Sequence, residues 1–281
     1  MKPLQAKEKI LLFAFVITTA VAGGYFYQKF KPLPPIPVFP NYFANTIIEA
    51  KTAFVYDFQK DKILFTKHAD MPLPIASITK IMTALVALDN LKLEDVITIS
   101  KRGLEEEGDN GLLLGERWQA NDLIKFMLLV SSNDAAYALS EAVPDFINKM
   151  NLKALELGFT KTRFDSATGI SENDISTARE VAQLLYYAYN SYPEIFNVTA
   201  WSEANFVSLS GIEHKNIKNT NPLVAQGHIL ASKTGMTKVA GGSLVVLLNG
   251  DSHIVISALG SSLEGRFSDV SNLAAAALLT K

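Results

Sequence analysis

The chain has 281 residues, of which 26 are Lys or Arg and 28 are Asp or Glu, leaving a formal net charge of −2. That near-balance excludes nucleic-acid binding through a broad basic surface, and 48% apolar against 19% charged residues excludes a disordered chain. Zero Cys removes disulfides, thiolate metal sites and a cysteine nucleophile.

Lys2, Lys7 and Lys9 precede Ile10 to Tyr27, eighteen residues without a charge, which as a helix would span about 27 Å. A basic flank before such a run reads as an export segment, either retained as a transmembrane anchor or cut after Ala20-Val21-Ala22. The apolar run continues through Tyr25, Phe26 and Tyr27, which favours the anchor. Residues 1–9 would then be cytoplasmic, 10–27 the anchor or signal, and the chain from residue 28 onward would lie at the extracytoplasmic face of the cell membrane. Residues 31–40, KPLPPIPVFP, suit a polyproline II spacer of about 30 Å within a Pro-rich linker over 28–44. Residues 45–281 hold no comparable linker and no repeat, and read as one domain.

Within that domain, 50–58 and 62–68 are β-prone runs split by Gln59-Lys60-Asp61, which predicts a hairpin. Pro72 and Pro74 bar an upstream helix, and Ile78, Ile81, Met82, Leu85, Val86 and Leu88 then recur at helical spacing to Asp89. A second helix is expected over 121–130 with Asn121 as N-cap, and further helices over 133–142, 144–157 and 177–190. Strands are expected at 227–233, 242–249 and 253–260, the last two joined by a turn at Gly250-Asp251, before a closing helix near 268–279. Strands at both ends with helices between predict an α/β fold in which the two ends build one sheet and the middle packs on it.

Ser77-Ile78-Thr79-Lys80 sets a hydroxyl and an amine at i and i+3 on one helical face, the arrangement of a Ser–Lys nucleophile pair. Taken alone it reads more readily as an N-cap Ser beside a solvated Lys. Ser131-Ser132-Asn133 falls between two helices, where side chains can face a cleft, whereas Ser171-Glu172-Asn173 sits among Gly169, Asp174 and Ser176 and reads as a surface loop. Lys233-Thr234-Gly235 closes a predicted strand. The four His lack metal-site spacing, so no metal or cofactor is expected; His214 and His228 read as ordinary polar positions. Glu105-Glu106-Glu107-Gly108-Asp109 reads as a solvated acidic loop, and Trp118 and Trp201 fit either the core or a cleft.

SITK, SSN and KTG in that order match the three-motif set of penicillin-binding proteins and class A β-lactamases. With PIASITKIMTAL, LLVSSNDAAYALSE, STARE, NTNPLV and SKTGMT, the domain resembles the serine D-alanyl-D-alanine carboxypeptidases, the low-molecular-weight penicillin-binding proteins. That resemblance implies a β-lactamase/transpeptidase-like fold: an antiparallel sheet of about five strands flanked by helices, with a helical subdomain. It implies Ser77 as nucleophile and Lys80 as base, with Ser131 relaying a proton and Asn133 orienting Lys80. The oxyanion would meet the N–H groups of Ser77 and Met236. Lys233, Thr234, Gly235 and Arg266 would meet the substrate, with Lys233, Thr234 and Arg266 facing its terminal carboxylate. For Lys80 to act near neutral pH its pKa must fall by about three units, which predicts an enclosed amine near Ser77, Asn133 and Lys233.

The implied reaction is removal of the last D-Ala from peptidoglycan stems, with β-lactams as acylating inhibitors. Cleavage of D,D-crosslinks and β-lactam hydrolysis are the neighbouring activities, and a wall-binding module with a vestigial cleft is the non-enzymatic alternative. Ser132 departs from the family's usual Gly, which places acyl-enzyme turnover in question.

Overall fold

A computed structural model describes residues 42–105, 108, 111–250 and 252–280, all within the unit Tyr42–Lys281. The export segment and most of the Pro-rich linker lie outside these residues, as do Glu106, Glu107, Asp109 and Asp251. No helix among the described residues is long and apolar enough to cross a membrane.

Strands β1 (Thr52–Asp57), β2 (Lys62–Lys67), β3 (Ile229–Thr237), β4 (Gly241–Leu248) and β5 (Ile254–Ser261) form one antiparallel sheet in the order β2-β1-β5-β4-β3. Both ends of the domain therefore supply one sheet, as the pattern of runs predicts. The helices are α1 (Lys80–Asn90), α2 (Ala120–Val130), α3 (Asn133–Glu141), α4 (Phe146–Glu156), α5 (Ala178–Ser191) and α6 (Gly265–Leu278), with shorter turns between.

The central strands are apolar on both faces because both are covered. Leu244, Val246 and Leu248 of β4 and Ala53 and Val55 of β1 pack against Val270, Leu273 and Ala277 of α6. The alternate residues Val245 and Leu247, with Phe54, Val255 and Leu259, join a larger core with Ile78, Leu85, Phe126 and Leu184. Period-two alternation thus sorts one strand's side chains into two cores. α2 is apolar nearly all round, since it runs through the centre of the helical region.

Several boundaries differ from the sequence reading. β3 runs to Thr237, so KTG lies inside the strand and not at its end. α2 starts at Ala120 with Gln119 as N-cap, and Asn121 instead bonds Asp122 through its side chain. α6 begins at Gly265, which brings Arg266 into its first turn. The paired strands Val96–Thr98/Arg117–Gln119 and Glu203–Val207/Glu213–Lys218 have no counterpart in that reading. Trp118 is fully buried, and His214 is a buried partner of Glu116, 2.7 Å between Nε2 and Oε1. Trp201 is exposed.

Candidate active site

Ser77 lies on a 3₁₀ turn, Ala76–Thr79, immediately before α1. At three residues per turn, i and i+3 stand one above the other, so the Ser77 hydroxyl and the Lys80 amine share a line. Ala76 holds a left-handed backbone at φ 50°, costly for a residue with a Cβ, and the turn is fixed by Ile75 N–H donating to Asp174 O at 2.9 Å.

Lys80 is fully buried at the head of α1. Its Nζ lies 3.0 Å from Ser77 Oγ, 2.6 Å from Asn133 Oδ1 and 2.5 Å from the Thr168 carbonyl. Ser131 terminates α2 in the left-handed conformation at φ 65°, a C-cap geometry that turns the chain sharply into α3. Ser132 then caps α3 by accepting from Ala135 N–H at 3.1 Å, and Asn133 opens that helix facing Lys80. One reversal between two helices therefore presents Ser131 and Asn133 to the cleft while Ser132 is spent on the backbone.

Lys233 is buried on β3 and donates to Ser131 Oγ at 2.8 Å and to Thr234 O at 3.0 Å. Burial first, then the charges of Lys80 and Arg266, hold the Lys233 ammonium well below the ordinary lysine range. Thr234 Oγ1 lies 2.6 Å from Thr220 Oγ1. Arg266, also buried, donates from Nη1 to the Gly235 carbonyl at 2.8 Å, so its guanidinium is braced on the same strand, with burial lowering its pKa.

Gly235 is needed for close approach. A Cβ there would stand 2.6 Å from Ile75 O and 3.3 Å from Ala76 Cβ, so only glycine lets β3 lie against the Ser77 turn. On the turn's other side, a Cβ on Gly169 would stand 2.2 Å from Ala76 O, and Gly169 is itself left-handed at φ 85°. The Ser77 turn is thus clasped between two glycines. Beside it opens a cleft of about 410 Å³ bordered by Ser77, Asn133, Gly169, Glu172, Met236 and Thr237.

A family model described as D-alanyl-D-alanine carboxypeptidase matches residues 41–260. The chain belongs to this family. It is 31% identical over 257 residues to the D-alanyl-D-alanine endopeptidase of Escherichia coli K12, covering 85% of this chain and 78% of that protein. The Haemophilus influenzae D-alanyl-D-alanine endopeptidase is 36% identical over 207 residues, covering 70% of each chain. The crystal structure of the Streptomyces K15 DD-transpeptidase matches with a TM-score of 0.77 at 28% identity, covering 83% of this chain and 98% of that one. The β-lactamase/transpeptidase-like α/β architecture expected from the motifs is therefore the one observed.

The three motifs of this family member, distant in sequence, converge on one cleft, and Lys80 is enclosed beside Ser77 and Asn133 as anticipated. Lys233 meets Ser131 by hydrogen bond and Lys80 through its charge. Ser171, Glu172 and Asn173 lie at the surface as the sequence suggests, Glu172 and Asn173 exposed, and the longer loop 165–174 that contains them also serves the site. Thr168 gives Lys80 a carbonyl, Ala167 O accepts from Thr83 Oγ1 at 2.6 Å, and Glu172 borders the cleft. The buried Asp174 carboxylate holds this loop by accepting from the N–H groups of Asp165 and Ser166 at 2.7 and 2.9 Å. Burial raises its pKa against those bonds. Ser171 and Asn173 bond Asp165 and are no rival to Ser131 and Asn133. A glycine between apolar and polar residues was the one signal of this loop's role, and Gly169 alone could have carried it.

Proposed function

We propose that the chain is a serine D,D-peptidase that removes the terminal D-Ala of peptidoglycan stem peptides through an acyl-enzyme on Ser77. The observation that carries the reading is the enclosed amine of Lys80, 3.0 Å from Ser77 Oγ with two shorter contacts to acceptors. To take up the Ser77 proton the Lys80 amine must be neutral, with a lone pair free to accept it. Such an amine keeps two N–H donors, matched by Asn133 Oδ1 and Thr168 O, and one lone pair, left to face the Ser77 hydroxyl.

Ser77 gives its proton to Lys80 as Oγ attacks the carbonyl between the two D-alanines, and the developing oxyanion is met by the N–H groups of Ser77 and Met236. Ser131, held by Lys233, passes a proton to the leaving amine. Water then cleaves the ester on Ser77. The substrate aligns along β3, whose outer edge is that of the sheet, so its peptide can add as a further strand. Lys233 and Thr234 supply donors, and the braced Arg266 positive charge, for the terminal carboxylate. β-Lactams would acylate the same hydroxyl.

A second reading, hydrolysis of D,D-crosslinks, is favoured by the names of the two endopeptidases above. Incubation with a free pentapeptide and with a crosslinked dimer, with products identified by mass, separates the two. D-Ala release that vanishes in Ser77→Ala supports the first reading; dimer cleavage without D-Ala release supports the second. The basic and apolar N-terminal run supports export with a retained anchor. A chain lacking residues 1–41 is then expected in the soluble fraction, and its sedimentation with membranes would count against that anchor.

A further inference from the structure

On the face of the sheet that carries Lys233, a second cleft of about 340 Å³ opens between the β1–β2 hairpin and α5. Its floor is aromatic. Phe54, Tyr56 and Phe58 alternate along one side of β1 and its extension, with ring centroids 5.6 Å and then 4.7 Å apart; Phe54 is buried beneath Arg179, and the half-buried Tyr56 and Phe58 are the rings that face the cleft. Phe58 in turn stacks on Tyr186 of α5 at 3.6 Å.

The rim is polar and only partly satisfied. Arg179 lies 4.5 Å over the Phe54 ring and grips Asp70 through Nε at 2.7 Å and Nη2 at 3.1 Å. Of its five N–H donors, the remaining three have no hydrogen-bond partner among the described residues. Gln183, exposed and one helical turn further along α5, has none there either. Asp61 accepts from the Tyr56 hydroxyl with one oxygen only.

A pyranose ring carries a patch of C–H groups on its face and hydroxyls around its edge. It therefore fits an aromatic floor bordered by planar amide, guanidinium and carboxylate groups. Position also fits. Lys233, Val245, Ser257 and Phe54 are direct cross-strand partners, so Phe54 is three strand spacings, about 14 Å, from the motif lysine. The loop that borders the active-site cleft leads within a few residues into the helix that presents Arg179 and Gln183.

We infer that this second cleft binds the glycan of the wall polymer, a chain of N-acetylhexosamines, and so holds the polymer whose peptide stems are processed at Ser77. The choice of sugar rests on the D,D-peptidase reading; the site itself does not.

The test titrates the full chain calorimetrically with chitotetraose, with maltotetraose as control, in wild type, Ser77→Ala, Tyr56→Leu and Gln183→Ala. The expected result is saturable chitotetraose binding at roughly millimolar concentration, unchanged in Ser77→Ala. Each cleft variant should weaken it about tenfold, the Gln183→Ala change at an exposed position guarding against a folding defect. D-Ala release from free pentapeptide stays at the wild-type rate in both cleft variants, while release from polymeric peptidoglycan falls. The inference is overturned if folded wild type binds no chitotetraose, if Gln183→Ala binds it undiminished, or if free pentapeptide and polymer lose equally. Chitotetraose binding by a protein that neither releases D-Ala nor cleaves a crosslinked dimer would sink the peptidase reading and leave the glycan site standing.

Discussion

Replacing Gly235 by Ala tests whether the clasp around Ser77 sets the rate. The added Cβ would lie 2.6 Å from Ile75 O, whereas ordinary contact begins at 3.4 Å, so strand and turn must separate by 3.4 − 2.6, or 0.8 Å. Neither side yields easily. Ile75 N–H is tied to Asp174 O, and β3 is paired to β4 from Ile229 to Thr237. Overpacking of this size costs about 1–3 kcal/mol of stability, and a reacting group displaced by about 1 Å can lose about a hundredfold in rate. The expected outcome is a loss in kcat/KM for D-Ala release of about 10- to 100-fold, or about 1.4–2.7 kcal/mol. Thermal unfolding should fall by about 2–4 °C per kcal/mol lost. Second-order acylation by a fluorescent penicillin, read alongside the melting temperature, separates the two effects. A variant that melts lower yet acylates within about twofold of wild type would refute the argument that close approach positions the nucleophile.

Lys80→Met should remove the base and lower D-Ala release by about 10²- to 10⁴-fold, with about 1–3 kcal/mol of lost stability because Asn133 Oδ1 and the Thr168 carbonyl lose their donor; single-turnover acylation measures the first and chemical unfolding the second. Lys233 gives a pH prediction. Its folded pKa lies below the unfolded value, so between those two values the unfolded chain binds more protons and this residue's contribution to stability rises with pH up to about 10.5. Relative to Lys233→Met, wild type should therefore gain stability on titration from neutral to alkaline pH, and a difference that is flat in pH would contradict the burial of this amine. Ser132→Gly should cost only a few tenths of a kcal/mol, because glycine is tolerated at an N-cap. It should also leave the half-life of the penicilloyl-enzyme unchanged, since the Ser132 hydroxyl is occupied by Ala135 N–H; a markedly altered half-life would restore a role for it in turnover.

The side chains that converge on the cleft are legible in the sequence because a Ser–Lys pair constrains residue types and spacing. Ser77 and Lys80 must share a face, and Ser131 and Asn133 must flank a reversal between helices. The residues that went unread act through backbone. Thr168 contributes a carbonyl, which any residue carries, and Gly169 and Gly235 contribute the lack of a Cβ, which marks a turn as readily as a close approach. Reading Gly235 as punctuation also cut β3 short at Lys233. The Glu203–Val207/Glu213–Lys218 hairpin was missed because only Phe206 and His214 in it are buried, so its apolar alternation is nearly absent. Asn121 is a good N-cap type one residue inside the helix, where Gln119 holds the extended backbone that ends the preceding strand. The sheet itself was legible because β4 and β5 are covered on both faces and so read as unbroken apolar runs.

Intact-mass analysis of the chain after brief exposure to benzylpenicillin, with peptide mapping of the product, addresses the shared pocket directly. The convergent geometry predicts one added penicilloyl group, carried by the peptide containing Ser77, lost in Ser77→Ala and slowed strongly in both Lys80→Met and Asn133→Ala. Label found on another residue, or acylation of Ser77 at the wild-type rate without the Lys80 amine, would contradict it.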